Sequence, residues 1–274
     1  MTTGVSRGYT RCRFGQLHYH ESRPQQLATA QPALLLLHQN PSAAMEYDSL
    51  QRELARDRHV IAFDTPGYGM SDPPPEPLSI AAYTAAFGDA IDALQLAATQ
   101  PLDVFGFHTG ALLAAELALQ RPRSVRRLIL SGIPLRTAAE RAARLSEARA
   151  TPLPTEDGAE VLARSAALWR FVVTARTPGV SLERAVQVYA EKNRTLHRGW
   201  WAYEGVWTYD IRGRLPKITQ PTLVLQPHDF LLEQSRAACA MIPGAIFGEL
   251  PDLDRDIFEI GVAPIANAIR KFLN

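Results

Sequence analysis

The chain has 274 residues, of which 46% are hydrophobic, and its 29 Lys and Arg residues almost balance its 28 Asp and Glu residues, leaving a formal charge of +1. A hydrophobic fraction of this size supports a full buried core and excludes a disordered chain. The near-neutral charge excludes the basic surface that is typical of proteins that bind nucleic acid or an anionic membrane, so we expect a small-molecule substrate as the partner.

The sequence also carries signals about the compartment of the protein. The N-terminal stretch MTTGVSRGYTRCRFG lacks the apolar core of a signal peptide, and no apolar run approaches the roughly 20 residues of a membrane-spanning helix. We therefore expect a cytoplasmic protein. Cys12 and Cys239 are far apart and have no metal-like spacing, which favours reduced thiols. A homodimer is compatible with the sequence, which does not specify an oligomeric state.

The hydrophobic pattern predicts alternating strands and helices in the first half of the chain. Continuous apolar strands separated by helices are typical of an α/β fold with a parallel sheet, whose ligands lie at the carboxyl ends of the strands. The predicted strands are 9–14, 16–20, 33–37, 60–63, 102–107 and 125–130, and the predicted helices are 43–56, 79–96 and 110–119.

The alternation stops near residue 134 and resumes near residue 221. The intervening segment has helical patterns at 138–148, 159–174 and 182–192, followed by an aromatic stretch at 200–207, and the chain closes with strands 221–225 and 245–250 and helices 233–241 and 263–273. We predict a core formed by residues 1–134 and 218–274, with residues 135–217 inserted as a helical cap.

One predicted strand runs directly into a helix through the turn Gly106-Phe107-His108-Thr109-Gly110. A sharp strand–turn–helix with glycines on both sides of one central residue is typical of a nucleophile elbow, which holds a single side chain above the sheet. The side chain at that position is normally a serine. Here it is His108, so the chemistry of the site has to be argued from an imidazole.

Several motifs, in order along nearly the whole chain, resemble the α/β-hydrolase superfamily. The stretch LLLLHQNP resembles its His-Gly-x-Pro loop, FDTPGYGMSD resembles its Asp-x-Pro-Gly-x-Gly-x-Ser loop, and GFHTG occupies the elbow, followed by LSGIP, LPKITQPTLVL and IANAIRKFL. The resemblance implies the α/β-hydrolase fold, a mostly parallel sheet with helices on both faces and an inserted helical cap.

The catalytic residues depart from the pattern of the family. His108 replaces the usual Ser, Cys or Asp, and Asp229 falls one residue short of the spacing in the family motif Gly-x-x-Asp. The late Gly-His of the family is absent, and residues 252–255 read Asp-Leu-Asp-Arg at that place. Acyl-enzyme chemistry needs a hydroxyl and a neighbouring base, so an ordinary Ser-His-Asp esterase is not expected.

His108 is instead a candidate general base or nucleophile. A carboxylate bonded to one ring nitrogen leaves the other nitrogen free for proton transfer, and either Asp229 or Asp254 is a candidate for that carboxylate. His228, beside Asp229, is a candidate for the missing base, and a surface position is the alternative. The resemblance implies that Asn40 and Thr109 supply the two backbone N–H groups of an oxyanion hole.

The remaining candidates carry weaker signals. The resemblance implies that His38 supports its loop. Trp201 belongs to an aromatic stretch that either contacts the ligand or packs the cap on the core. His38, His108, His228 and Asp229 come from three separate loops without a local ligand motif, so we expect neither a metal nor a cofactor.

Two functions follow from these residues. The first is an α/β-hydrolase-fold enzyme that uses His108 as base or nucleophile on a small carbonyl-containing substrate, in a hydrolase or lyase reaction. The alternative is a catalytically inactive protein of the same fold that binds a small apolar ligand. Retention of the oxyanion loop and of the elbow glycines favours the enzyme, whereas loss of two triad positions favours the binding protein.

Overall fold

The computed structural model describes residues 4–24, 31–195 and 197–274 and is built around an eight-stranded sheet. The strand order is β1-β2-β4-β3-β5-β6-β7-β8. β2 is antiparallel to both of its neighbours, β1 and β4, and every other pair of neighbouring strands is parallel. This arrangement confirms the predicted mostly parallel sheet. The strands are β1 (Ser6–Cys12), β2 (Gly15–Ser22), β3 (Leu34–Leu37), β4 (Val60–Phe63), β5 (Leu102–Phe107), β6 (Val125–Ser131), β7 (Thr222–Pro227) and β8 (Ile246–Leu250).

Helices cover both faces of the sheet and fill the segment between β6 and β7. They are α1 (Asp48–Leu54), α2 (Ile80–Ala93), α3 (Thr109–Gln120), α4 (Ala138–Arg149), α5 (Ala159–Trp169), α6 (Leu182–Asn193), α7 (Trp201–Thr208), α8 (Ile211–Arg214), α9 (Leu232–Cys239), α10 (Ile257–Ile260) and α11 (Val262–Leu273). Short 3-10 helices occupy Ala44–Tyr47 and Leu215–Lys217, and a π-helix occupies Arg170–Thr174.

The apolar strands are buried because each of their faces packs on a different helical layer. In β3, Leu35 and Leu37 belong to the cluster that α2 and α3 cover, whereas Leu34 and Leu36 belong to the cluster that α1 and α11 cover. Successive side chains of a strand point to opposite faces, so a run of four leucines supplies both layers. This two-sided burial fixes the strand ends at which the candidate site lies.

Several predicted elements differ in detail from the structure. The helix predicted at 43–56 begins as the 3-10 helix Ala44–Tyr47 and continues as α1 to Leu54, and the helix predicted at 79–96 ends at Ala93. The prediction extended the first strand to Phe14, but β1 ends at Cys12 because the chain turns there and Gly15 adopts φ +114°. The helix predicted at 159–174 continues α5 as the π-helix Arg170–Thr174, a widened turn that periodicity does not reveal. The π-helix contributes to the cavity described below.

The segment between β6 and β7 that contains α4 to α8, residues 138–214, is called the helical insert here; within its described residues the chain forms no strand. Tyr68 ties the insert to the core, since its hydroxyl donates to the Gly199 carbonyl (3.2 Å) and accepts from the Ala202 N–H (2.8 Å). A second tie joins Arg214 to Glu116 of α3, with a shortest N–O distance of 2.6 Å.

The predicted domain boundaries stay a prediction. They include residues 1–3, 25–30 and 196, which lie outside the described residues. Within the described ranges, none of the helices combines the length and the apolar character that spanning a bilayer requires.

Candidate active site

The turn after β5 holds His108 in a strained conformation, with φ +50° and ψ −112°. Positive φ is uncommon for a residue with a Cβ and persists only where the surroundings impose it. A Cβ on Gly106 would lie 2.1 Å from the Gly110 carbonyl oxygen, and one on Gly110 would lie 1.9 Å from the Leu37 carbonyl oxygen. The two glycines therefore permit the close packing that forces His108 out of the strand line at the carboxyl end of β5.

The imidazole of His108 is bonded to the carboxylate of Asp229. His108 Nε2 lies 3.0 Å from Asp229 Oδ2, and the exposed fractions of the two side chains are 19% and 6%. The rings of Phe107 and Phe230 pack on the imidazole, with centroids 4.1 Å and 5.6 Å away. Of the two carboxylates that the sequence offered as partners, Asp229 makes the contact, while Asp254 lines the same cavity without a hydrogen bond to His108.

Asp229 is itself held by two donors. Its Oδ1 accepts hydrogen bonds from Gln226 Nε2 and from the Leu231 N–H, both at 2.8 Å. These bonds fix the carboxylate at the end of β7, opposite the turn that carries His108. Sequence reasoning missed Gln226, because a glutamine near the end of an apolar strand gives no signal of what it contacts.

The backbone N–H groups of Asn40 and Thr109 have no hydrogen-bond acceptor among the described residues. Thr109 is the first residue of α3, so its N–H has no acceptor within the helix. Across the part of the chain that the structure describes, neither N–H donates a hydrogen bond to another residue. The hydroxyl of Tyr203 in α7 donates to the Asn40 carbonyl (3.0 Å) and so restrains this loop.

His38 is fully buried, and its hydrogen bonds are internal. Its Nε2 accepts from the Thr65 N–H at 3.0 Å, so Nδ1 carries the proton and donates to the Gln39 carbonyl oxygen at 2.5 Å. Nε2 thus joins the loop after β3 to the loop after β4, and Nδ1 forms a bond within the loop after β3.

Two other predicted site residues lie away from His108. His228 is exposed, and its Nε2 lies 2.9 Å from a carboxylate oxygen of Glu249 on β8. Trp201 begins α7, and its N–H donates to the Arg198 carbonyl oxygen. Neither residue belongs to the described lining of the cavity beside His108. The structure therefore brings together His108 and Asp229 but not His228 or Trp201.

A cavity of about 190 Å³ opens beside the His108–Asp229 pair. The loop after β3, the π-helix, α6 and the loops after β7 and β8 line it, and neither Asn40 nor Thr109 is among its lining residues. Its apolar side chains are Met45, Phe107, Phe171, Val172, Val188, Phe230, Ile257 and Phe258. The size and the largely apolar wall suit a small molecule.

Charged groups of the cavity are mostly compensated within the protein. Arg184 lies 2.6 Å from Glu259, and Arg255 donates to the Phe171 carbonyl oxygen at 2.7 Å. Lys192 of α6 donates to the Pro41 carbonyl oxygen at 2.7 Å. Burial lowers the pKa of Lys192, while the nearby carboxylate of Glu46 acts in the opposite direction. Nothing in the sequence of this helix indicated that Lys192 would reach the cavity.

A metal site would require several histidine, cysteine or carboxylate side chains close together. Among residues 4–24, 31–195 and 197–274, no three or more His, Cys, Asp or Glu side chains are grouped as a metal site requires. His38 and His228 are instead bonded to other parts of the protein, as described above.

Solved structures with the same fold cover almost the entire chain. An enol-lactonase from Burkholderia xenovorans LB400 superposes with a TM-score of 0.80 at 21% identity, over 97% of this chain and 99% of that one. A hydrolase from Pseudomonas aeruginosa PA01 gives 0.78 at 22% identity over 98% of each chain. An epoxide hydrolase from Vigna radiata gives 0.77 at 16% identity, over 98% and 97%. At these identities the likeness establishes the fold.

A protein sequence and a family model also match parts of this chain. The uncharacterized protein Rv2715 of Mycobacterium tuberculosis is 32% identical over 108 residues, which cover 39% of this chain and 31% of that protein. The family model described as alpha/beta hydrolase fold matches residues 32–238, well over half of the chain. That match spans β3 to α9 and includes both His108 and Asp229. The chain belongs to the α/β-hydrolase fold family.

Proposed function

We propose that this protein is an enzyme in which His108, oriented by Asp229, acts as a general base on a small carbonyl-containing substrate. The observation that carries the proposal is the 3.0 Å bond between His108 Nε2 and Asp229 Oδ2 at the wall of a cavity. A carboxylate that holds one ring nitrogen leaves the other available for proton transfer at neutral pH. A positioned base of this kind contributes about 10²- to 10⁴-fold to a rate.

In this proposal the turn around His108 acts as the elbow of the fold, and the N–H groups of Asn40 and Thr109 act as the oxyanion hole. Each of these donors has no acceptor among the described residues and is free to bind a carbonyl oxygen. Donors of this type stabilise developing negative charge by a few kcal/mol. The substrate carbonyl would therefore extend from the cavity beside His108 towards these two N–H groups.

The environment of His108 supports a one-step reaction over an acyl-enzyme. The place of the late histidine is filled by the segment of Asp254 and Arg255, and the Arg255 guanidinium donates to the Phe171 carbonyl, so no second imidazole stands there to serve an acyl-enzyme. His108 would activate water for hydrolysis or abstract a proton from the substrate. Enol-lactonase and epoxide hydrolase neighbours make lactones and other hydrolysable ring substrates a reasonable starting set.

We further propose that the helical insert caps this site. Its π-helix contributes Phe171 and Val172 to the cavity, and α6 contributes Val188 and Lys192. The hydroxyl of Tyr203 in the insert also donates to the Asn40 carbonyl, so a movement of the insert would displace the proposed oxyanion loop.

The test is a panel of small lactones, esters and ketones assayed with the wild type, His108→Ala and His228→Ala. His228 is the matched control, since it is also paired with a carboxylate but lies outside the described lining of the cavity. We expect His108→Ala to lose on the order of 10²-fold or more in kcat, and His228→Ala to keep the activity of the wild type. Tight binding of a panel member with no turnover would instead identify a binding protein.

A further inference from the structure

The side chain of Gln226 connects the turn after β6 with the His108–Asp229 pair. Gln226 lies on β7 and is fully buried. Its Oε1 accepts from the Gly132 N–H at 2.7 Å, and its Nε2 donates to Asp229 Oδ1 at 2.8 Å and to the Pro227 carbonyl oxygen at 2.9 Å. All the hydrogens of this carboxamide are therefore used inside the site.

These contacts allow only one orientation of the carboxamide. A backbone N–H can only donate, so the atom that faces Gly132 must be the oxygen Oε1. A flipped amide would set Nε2 against that N–H and Oε1 against both the Asp229 carboxylate and the Pro227 carbonyl oxygen, which gives three repulsive contacts in a buried place. The Gly132 N–H thus fixes Gln226 as a donor to Asp229.

The orientation of Gln226 then determines the role of Asp229. Oδ1 receives two donors, from Gln226 and from the Leu231 N–H, which is the environment of an ionised carboxylate. An ionised carboxylate is an acceptor only, so Oδ2 accepts a hydrogen from His108 Nε2. The neutral imidazole consequently carries its proton on Nε2. Among the described residues, none forms a hydrogen bond with Nδ1.

We infer that Gln226 is a positioning residue that, through Asp229, holds His108 in the tautomer with a free Nδ1. The catalytic consequence rests on the proposed function: Nδ1 is the atom that takes the proton from water or substrate. A purely structural role for Gln226, as a filler of hydrogen-bonding positions between β6 and β7, would leave the tautomer of His108 independent of this side chain.

Gly132 also makes room for the imidazole that this network orients. It adopts φ +68°, and a Cβ there would lie 2.2 Å from His108 Cδ2 and 2.7 Å from Nε2. The ring therefore fills the space that a side chain at position 132 would occupy. One glycine supplies both the N–H that orients Gln226 and the gap that seats His108, which links the turn after β6 to the site in two ways.

The inference can be tested by ¹⁵N NMR of the imidazole nitrogens in the protein without substrate, with the His108 signals assigned from their loss in His108→Ala. With His108 neutral, we expect Nδ1 of the wild type to resonate as an unprotonated nitrogen and Nε2 as a protonated one. Gln226→Met should bring the two signals towards each other, as in a mixture of tautomers. Gln220→Met is the control, because Gln220 is also buried but donates to the carbonyls of Ala118 and Pro122.

A neutral His108 protonated at Nδ1 in the wild type would overturn the inference, and so would Gln226→Met signals identical to those of the wild type. If Gln226→Met does not fold, Gln226→Asn serves the same comparison, because its amide is one methylene too short to reach both Gly132 and Asp229. Signals unchanged in that variant would equally contradict the inference. The measurement needs no turnover, so an inactive protein with the expected tautomer would refute the proposed function alone.

Discussion

Replacement of Gly132 by alanine tests how closely the imidazole of His108 is fitted to its site. Gly132 and Gly244 adopt almost the same conformation, with φ +68° and +67°, but a Cβ at Gly244 would meet no atom within 4 Å. Alanine at either position costs about 1–2 kcal/mol for positive φ. Any change in the unfolded chain is the same for both substitutions. The difference between the two variants therefore isolates the contact with His108.

At Gly132 the new Cβ would have to push the ring away, since it would lie 2.2 Å from Cδ2. Moving the ring breaks the bond from Nε2 to Asp229, a hydrogen bond to a charged group worth about 1.5–3 kcal/mol. We expect the free energy of unfolding to fall by about 2.5–5 kcal/mol in Gly132→Ala, against about 1–2 kcal/mol in Gly244→Ala. Urea unfolding with comparison of midpoints and slopes measures both values. Equal losses would refute the close fit of His108 against Gly132.

Three further predictions concern the chemistry of the pocket and the attachment of the insert. Fluorophosphonate probes should not label the protein, because His108 supplies no hydroxyl; stoichiometric labelling of a pocket serine such as Ser42, mapped by mass spectrometry, would contradict this. Lys192→Met should be more stable than the wild type at neutral pH, because burial lowers the pKa of the Lys192 ammonium and the unfolded chain binds its proton more tightly than the folded protein does. This difference in stability should shrink as the pH rises towards 10.5 and lysine loses its proton in both states. Denaturant unfolding across this pH range checks it, and the exposed Lys217→Met should show no such trend. Arg214→Met should lower the free energy of unfolding by about 2 kcal/mol, because Glu116 stays buried without its partner. The loss is smaller than for a fully buried pair because the Arg214 guanidinium is partly exposed. Thermal or urea unfolding that gives no greater loss than in the exposed Arg212→Met control would contradict this.

The fold was predictable because its strongest signals are local. Runs such as the four leucines of β3 can be buried on both faces only in a sheet that helices cover on each side, and the order of loop motifs specified the connections. The end of β1 was misplaced because an apolar Phe14 reads as strand, whereas the turn depends on the backbone conformation of Gly15. The π-helix escaped prediction because one widened turn hardly alters the hydrophobic period.

The candidate site was only partly predictable, because pairing between distant loops is decided in three dimensions. The sequence identified His108 and offered Asp229 or Asp254 as its partner, and the structure brings Asp229 to the ring. His228 was a candidate from its position beside Asp229, but its ring reaches Glu249 on the neighbouring strand β8. The roles of Gln226 and Gly132 depend on hydrogen bonds across β6 and β7 that no local pattern specifies.

The most direct test of the account is a crystal structure of His108→Ala with a substrate of the wild-type enzyme trapped in the cavity. Removal of the base should leave binding intact while turnover stops, so the uncleaved substrate should be visible. We predict its carbonyl oxygen within hydrogen-bonding distance of the Asn40 and Thr109 N–H groups, with the reacting hydrogen or an ordered water at the place that Nδ1 faces. A substrate bound with its carbonyl directed away from these donors, and with no proton donor beside position 108, would contradict the proposed role of His108.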